Sequence, residues 1–528
     1  MNIFFLSLMY ITTIFISIFL ALYIYFTRNF SFWQKHKFPY EKPLPFLGNF
    51  KDVMLQKVDI GHHLKNIYNA HRDKPYVGIF SFDKPALLVR DLKLARDVLV
   101  RDSNEFFVDR ILSMDERVDP LGAKNLFSLK GQKWRYIRGI LTPSFTSVKM
   151  KKMFCIVNNC SLELVDFLVR STADGSPTEV KDTMARFTTD VMASCAFGID
   201  SNSLKDPNAE FRRVLRTVFQ FSLQKALAGF TAFFAPALQS FLRLRLIDDK
   251  ITTFVRNTVW STAAYRQQNG VVRNDFLDSI IKLSQKNGVQ KTGVGNVSSN
   301  GNEFSIDGDD FVAQAYIFLA AGFEPASTTL SFALYELSFQ PEIQERLRAE
   351  IVEVTAKYNH EVTYDGIQEM TYLDMVVSET LRKYPPVPFL DRITSRDYRL
   401  LSAYGGEDVV LRAQTGVYIP VLAIHNDPDY YPEPHRFDPE RFTEENKRSR
   451  PSYTYFPFGE GPRTCIGMRL GLLMVKSALA HVLSHYEVTP CKDTPIPLLF
   501  DPRPFLLAVE GDIPLLFNSI KNCSSMTT

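Results

Sequence analysis

Three patterns of apolar and polar positions divide this chain. From Ile3 to Phe26 no charged residue interrupts a run of apolar side chains, and as a helix such a run crosses a hydrocarbon core of about 30 Å. It predicts a transmembrane anchor over 1–27. Pro39, Pro43, Pro45 and Gly48 then break any periodicity and predict a stiff, proline-rich linker over 28–50. Helix-like stretches follow from 51 to 528, among them 375–382, stopped by Pro385-Pro386, and 468–474. The stretch 286–303 is rich in Gly, Asn and Ser without periodicity and reads as a mobile surface loop. The stretch 218–238 is aromatic with few charges; it reads either as an amphipathic helix packed into a core or as the wall of an apolar ligand space.

Charge places these segments. Arg28, Lys35 and Lys37 follow the apolar run, which puts the remainder of the chain on the cytoplasmic side of a membrane. The run is too long for a signal peptide and lacks a basic leader and a small-residue cleavage site, and no Arg-rich amphipathic leader addresses it to mitochondria. Sequons at Asn159, Asn296 and Asn522 are therefore expected to stay unmodified.

Composition acts mainly by exclusion. Length alone, at 528 residues, would allow about three domains, and an apolar share of 45% supplies a core without disulfides. The six cysteines (Cys155, Cys160, Cys195, Cys465, Cys491, Cys523) have no Cys-x-x-Cys spacing, and five read as free thiols in a reducing compartment. A net charge of +3 with no basic run interleaved with aromatics argues against nucleic acid.

Cys465 is the exception. It lies in Phe458-Gly459-Glu460-Gly461-Pro462-Arg463-Thr464-Cys465-Ile466-Gly467. Gly461 and Gly467 permit tight backbone and the close approach of a flat ligand, Arg463 offers a cation to an acidic group, and a helix-like stretch starts directly afterwards. A thiol at a helix N-terminus is drawn toward thiolate, the form an axial iron ligand needs. The pattern Phe458-x-x-Gly461-x-Arg463-x-Cys465-x-Gly467 resembles the haem-binding loop of the cytochrome P-450 superfamily. Through 141–145 and 190–198 the chain is most similar to its microsomal members of the insect detoxification type.

The resemblance implies a mainly α fold with small β-sheets (α+β), and over 51–528 a single haem-thiolate monooxygenase domain behind the N-terminal transmembrane helix. Cys465 would be the metal ligand, with Phe458 and Gly467 shaping its loop. Glu379 and Arg382 sit three apart on one helical face, a spacing that also fits an exposed ion bridge. In the family an arginine at the position of Arg441, in Pro439-Glu440-Arg441-Phe442, joins that pair to brace the haem pocket. Trp134 and Arg138 share a helical side; alone they also fit a packed tryptophan beside a solvated arginine. The resemblance makes them, with Arg110, Arg392 and Arg463, partners of the haem propionates, for which arginine forks are suited.

Ala320-Ala321-Gly322-Phe323-Glu324 resembles the family's oxygen-handling helix, with Gly322 and Glu324 facing the iron. Most members follow the acid with a threonine that helps deliver protons. This chain has Pro325, then Ala326, Ser327, Thr328 and Thr329. Proline removes the bond to the Ala321 carbonyl and predicts a distorted turn. Thr328 and Thr329 share the face of Pro325 and could order a relay water, or could bond their own backbone.

The implied activity is insertion of one oxygen atom from O2 into a lipophilic small molecule, such as a plant toxin, an insecticide or an endogenous lipid or hormone. NADPH electrons would arrive through a flavoprotein NADPH-cytochrome reductase, with cytochrome b5 as a further partner, at the endoplasmic reticulum membrane. Lys133, Arg135, Lys447, Arg448 and Arg450 are candidate docking charges, or merely solvated ones. Pro325 also motivates a haem-thiolate isomerase or dehydratase that needs no reductase. A non-catalytic haem or lipid-binding membrane protein is the third reading.

Overall fold

The computed structural model describes residues 2–273, 275–286, 294–299, 302–401 and 408–520. The uncharged run forms one helix, α1 (Asn2–Thr27). Over Phe4–Thr27 its mean hydropathy is 2.3 and none of it is buried, so it is long and apolar enough to cross a membrane. Its C-terminal end is tied down: Arg28 pairs with Asp83 at 2.7 Å, and the ring of Phe46 lies 5.6 Å from Phe19 and 5.5 Å from Phe26.

The stretch 28–50, expected as a stiff linker, is stitched onto the strand β1 (Tyr76–Ser81). Trp33 is fully buried and its Nε1 donates to the Ile79 carbonyl at 3.1 Å. Gly78 makes room for it, since a Cβ there would stand 2.5 Å from the indole. Asn49 accepts from the Phe80 amide at 2.7 Å. The aromatics interleaved among the prolines (Trp33, Phe38, Phe50) are the reason: each is buried, and burying such a ring contributes about 1.5–3 kcal/mol.

Strand β1 pairs with β2 (Lys84–Val89), which runs parallel to β4 (Gly416–Ile419), itself antiparallel to β3 (Leu390–Ile393). The order β1-β2-β4-β3 puts Arg392 opposite Val417 at the far edge. A second sheet joins Tyr486–Pro490, Pro514–Ser519 and Thr178–Glu179.

Helices make up most of the rest: α2 (Ile60–Ala70), α3 (Gly131–Leu141), α4 (Ser147–Ser171), α5 (Val180–Phe197), α6 (Leu223–Phe234), α7 (Asp249–Asn269), α8 (Gly308–Ser338), α9 (Thr371–Lys383) and α10 (Met468–His485). Helix α8 is apolar around most of its circumference and is the core of the bundle, with α5, α7, α9 and α10 against it. Asp307 and Asp310 cap its start reciprocally. It stays helical through Pro325, without the break that a proline invites.

Part of the expected loop over 286–303 is instead ordered. Val294–Ser299 pairs antiparallel with Asn302–Asp307, with Ser299 opposite Asn302. Asn300-Gly301 between them is a strong short-hairpin signal that the compositional reading passed over. Residues 287–293 and 300–301 lie outside the described residues, as do Asn522 and Cys523.

Candidate functional site

The cysteine loop runs from Phe458 to the start of α10. Gly459 and Gly461 take positive φ of 72° and 71°. At Gly461 the constraint is also steric, because a Cβ would come within 1.9 Å of the Leu99 carbonyl oxygen. The Cys465 amide donates to the Phe458 carbonyl at 2.8 Å, closing the loop, and Arg138 Nη2 on α3 donates to the Thr464 carbonyl at 2.8 Å. Cys465 is exposed while Arg463 and Leu470 beside it are buried. Burial nevertheless pushes its thiol up, opposed by the amides of Gly467 and Met468 and the guanidinium groups of Arg138 and Arg110. The pull toward thiolate expected of a helix N-terminus is present in those amides, and desolvation outweighs it. Among the described residues no group of three His, Cys, Asp or Glu side chains converges to hold a metal by itself.

Beside the loop, three arginines meet. Arg463 is held by carbonyls: Nε donates to Val108 and Nη2 to Leu129, both at 2.7 Å. Its guanidinium stacks over the Trp134 ring at 3.9 Å, which makes Trp134 a platform for Arg463. Arg110 pairs with Asp391 at 3.1 Å and covers the Phe127 ring at 4.1 Å, yet its Nε has no partner. Arg392 is fully buried and donates Nη1 to the Asp391 carbonyl at 2.8 Å, while its Nε and Nη2 have none. Burial, with Arg110 nearby, depresses both Arg392 and Arg463 to about 9. Buried cations with idle donors mark a place for anions.

In a second cluster Arg382 and Glu379 satisfy each other, although Arg441 Nε and His425 Nδ1 have no hydrogen-bond partner among the described residues. Arg382 grips Glu379 with Nε at 2.7 Å and Nη2 at 2.8 Å, and donates Nη1 to the His425 carbonyl at 3.0 Å. Glu379 also accepts the Asp438 amide at 2.9 Å and faces Arg441 at 3.5 Å. His425, neutral and pushed down to about 3 by burial and Arg382, accepts the Phe456 amide at 3.0 Å. This last bond leads from the cluster into the segment that carries Cys465.

On α8, Ala321 is exposed and Glu324 and Thr328 are half-buried. Burial pushes the Glu324 carboxyl up, against the pull of Arg212 and Lys181. Thr329 donates its hydroxyl to the Pro325 carbonyl at 2.7 Å and Ser327 to the Glu324 carbonyl at 2.9 Å. Gly322 has a packing reason as well: a Cβ there would meet Met192 of α5 at 2.3 Å.

A family model described as Cytochrome P450 matches residues 38–514. The chain belongs to the cytochrome P450 family. It is 49% identical to cytochrome P450 6j1 of Blattella germanica over 512 residues, covering 97% of this chain and 98% of that one. It is 45% identical to cytochrome P450 6k1 of the same cockroach, covering 94% of each. Against the probable cytochrome P450 6a23 of Drosophila melanogaster it is 40% identical, covering 92% of this chain and 95% of that one.

A cytochrome P450 monooxygenase works with haem iron and NADPH-derived electrons delivered through a reductase. The residues present fit that group: a thiol on a loop whose Gly461 leaves no room for a side chain, flanked by arginines whose idle donors suit two carboxylates. Sequence reasoning missed Asp391 and His425. Asp391 directly precedes Arg392 in the chain, but its bonds to Arg110 and, at 2.6 Å, to the Ile111 amide depend on the fold. Two of the supposed docking charges of this P450 are engaged internally: Lys133 pairs with Asp310 at 2.6 Å, and Arg135 donates to the Asn104 carbonyl at 2.7 Å.

Proposed function

We propose that this cytochrome P450 is anchored in the endoplasmic reticulum membrane with its catalytic domain in the cytosol, and inserts oxygen into lipophilic small molecules that reach it from the bilayer. The observation that carries this is a chain of aromatic rings. From Arg110 it runs through Phe127 to Phe505 at 6.5 Å, to Phe389 at 5.3 Å and to Phe233 at 6.1 Å. Phe234 and Phe230 continue it to Phe82, next to Asp83, which holds the end of the anchor. Leu223 and Phe241, 78% and 82% exposed, lie on and just beyond α6. A continuous apolar wall from the anchor to the arginine cluster suits substrates dissolved in lipid.

Bound haem would supply the redox chemistry of oxygen insertion. Cys465 would hold its iron, and Arg110, Arg392, Arg463 and Arg138, with Trp134 as a platform, would orient its carboxylates. Glu379, Arg382 and Arg441 brace the loop without touching reactants. On α8, Glu324 stays protonated nearer neutral pH than a free carboxyl. Thr328, whose hydroxyl has no hydrogen bond among the described residues, is free to order a relay water, whereas Thr329 is committed to Pro325.

The test is the membrane-reconstituted protein with NADPH-cytochrome reductase, with and without cytochrome b5, screened against lipophilic compounds under isotopic O2. Products should carry one labelled oxygen atom and require NADPH, and Cys465→Ala should lose the red-shifted Soret band of the reduced carbon monoxide complex. Turnover without NADPH would select the rearrangement of an already oxygenated lipid that Pro325 motivates. Ligand-induced spectral shifts without any product would select a non-catalytic binding protein.

A further inference from the structure

A second cavity, of about 470 Å³, lies away from Cys465 between α2, the C-terminal part of α8, the end of α9 and the segment 496–500. Its size falls in the range that holds drug-sized ligands. The walls are apolar and aromatic, including Tyr335, Phe339, Tyr384, Leu498 and Phe500. Most of its charges cancel. Glu336 accepts Lys383 Nζ at 2.7 Å and the Tyr384 hydroxyl, and His62 sits 2.6 Å from Asp59.

Lys65, on α2, is the exception. It lines the same cavity and has neither an ion-pair nor a hydrogen-bond partner among the described residues. The influences on its ammonium are burial and the positive Arg382, and both oppose the charge. A partly desolvated cation without a counter-ion, beside an aromatic wall, is the chemistry that recognises an anion on an apolar body.

We propose that this cavity binds a small amphiphilic carboxylate, with its anionic head on Lys65 and its apolar body against the Phe339, Leu498 and Phe500 side chains. The cavity lining includes neither Cys465 nor the arginines beside it, and the site does not depend on the oxygenase reading.

The probe is 2-naphthoate, titrated calorimetrically into the full-chain holoprotein whose substrate space is saturated with an imidazole inhibitor, confirmed by its Soret shift. One equivalent should bind, and the neutral 2-naphthamide should bind at least tenfold more weakly. Lys65→Met should weaken naphthoate at least tenfold and leave the amide unchanged. Leu498→Trp, which fills the cavity and keeps the lysine, should abolish both. Each variant should keep the wild-type carbon monoxide spectrum as a check of folding. The comparison of acid with amide on the unaltered protein stands even if a variant fails to fold. Absence of naphthoate binding, equal affinity for acid and amide, or binding untouched in both folded variants would overturn the site.

Discussion

Arg382 and Arg392 are both fully buried, and their surroundings could hardly differ more. Arg382 has a carboxylate across Nε and Nη2 and carbonyls on Nη1 and Nη2. Arg392 has one carbonyl and two idle donors, with Arg110 as a neighbouring cation. The first is a structural joint finished by the protein. The second is a joint that the protein leaves open, and the one we propose cofactor carboxylates complete. Burying a cation without partners costs stability, so binding of an anionic cofactor at Arg392 and folding are thermodynamically linked.

The largest expected effect comes from unmaking the finished joint. Glu379→Gln leaves Arg382 buried without its counter-charge, which costs about 3–5 kcal/mol. Urea unfolding should show that loss, and holoprotein yield in the carbon monoxide assay should collapse. An unchanged unfolding midpoint would mean the brace does not hold the fold.

Arg392→Met should separate the two sites by sign. The apoprotein should be as stable as wild type or more so, since an unpaired buried charge has gone. Haem affinity should fall tenfold or more, because each lost hydrogen bond to a charged group is worth about 1.5–3 kcal/mol. Haem transfer to apomyoglobin together with apoprotein melting would read both. A variant that melts earlier without losing haem affinity would make Arg392 a structural residue like Arg382.

Acid should attack the finished site through His425. Its folded pKa lies at about 3, below the ordinary value of 6.5. The unfolded chain therefore binds the proton first, and stability falls as pH drops from about 6.5 toward 3. The loss should reach about 1 kcal/mol by pH 5.5. His481, pushed down to about 4 by burial, adds with the same sign. Comparing urea midpoints at pH 7.5 and 5.5 for wild type and His425→Gln should show about half a proton less of pH dependence, averaged over that interval, in the variant.

The smallest effect repeats the contrast on α8 with hydroxyl groups. Thr328→Val should change stability by less than about 0.5 kcal/mol but raise peroxide formed per NADPH about twofold if Thr328 orders a relay water. Thr329→Val should leave coupling unchanged, because its hydroxyl is taken by the Pro325 carbonyl. Equal, tight coupling in both variants would remove this helix from proton delivery.

The linear chain by itself determined the elements whose signals are local. The apolar run of α1 needs only its neighbours to be legible. So do the cysteine loop before α10 and the three-residue spacing that places Glu379 against Arg382. Tertiary structure alone decided matters that join distant residues. It put Trp33 over Gly78, so that a supposed linker is packed against the sheet. It made Gly461 obligatory through the Leu99 carbonyl and gave Gly322 a packing partner in Met192. It took Lys133 inward to Asp310 and left Lys65 without a counter-charge among the described residues. The physical reason is the same throughout. Periodicity and spacing encode which face of an element is apolar or charged, whereas desolvation and pairing depend on what packs against that face.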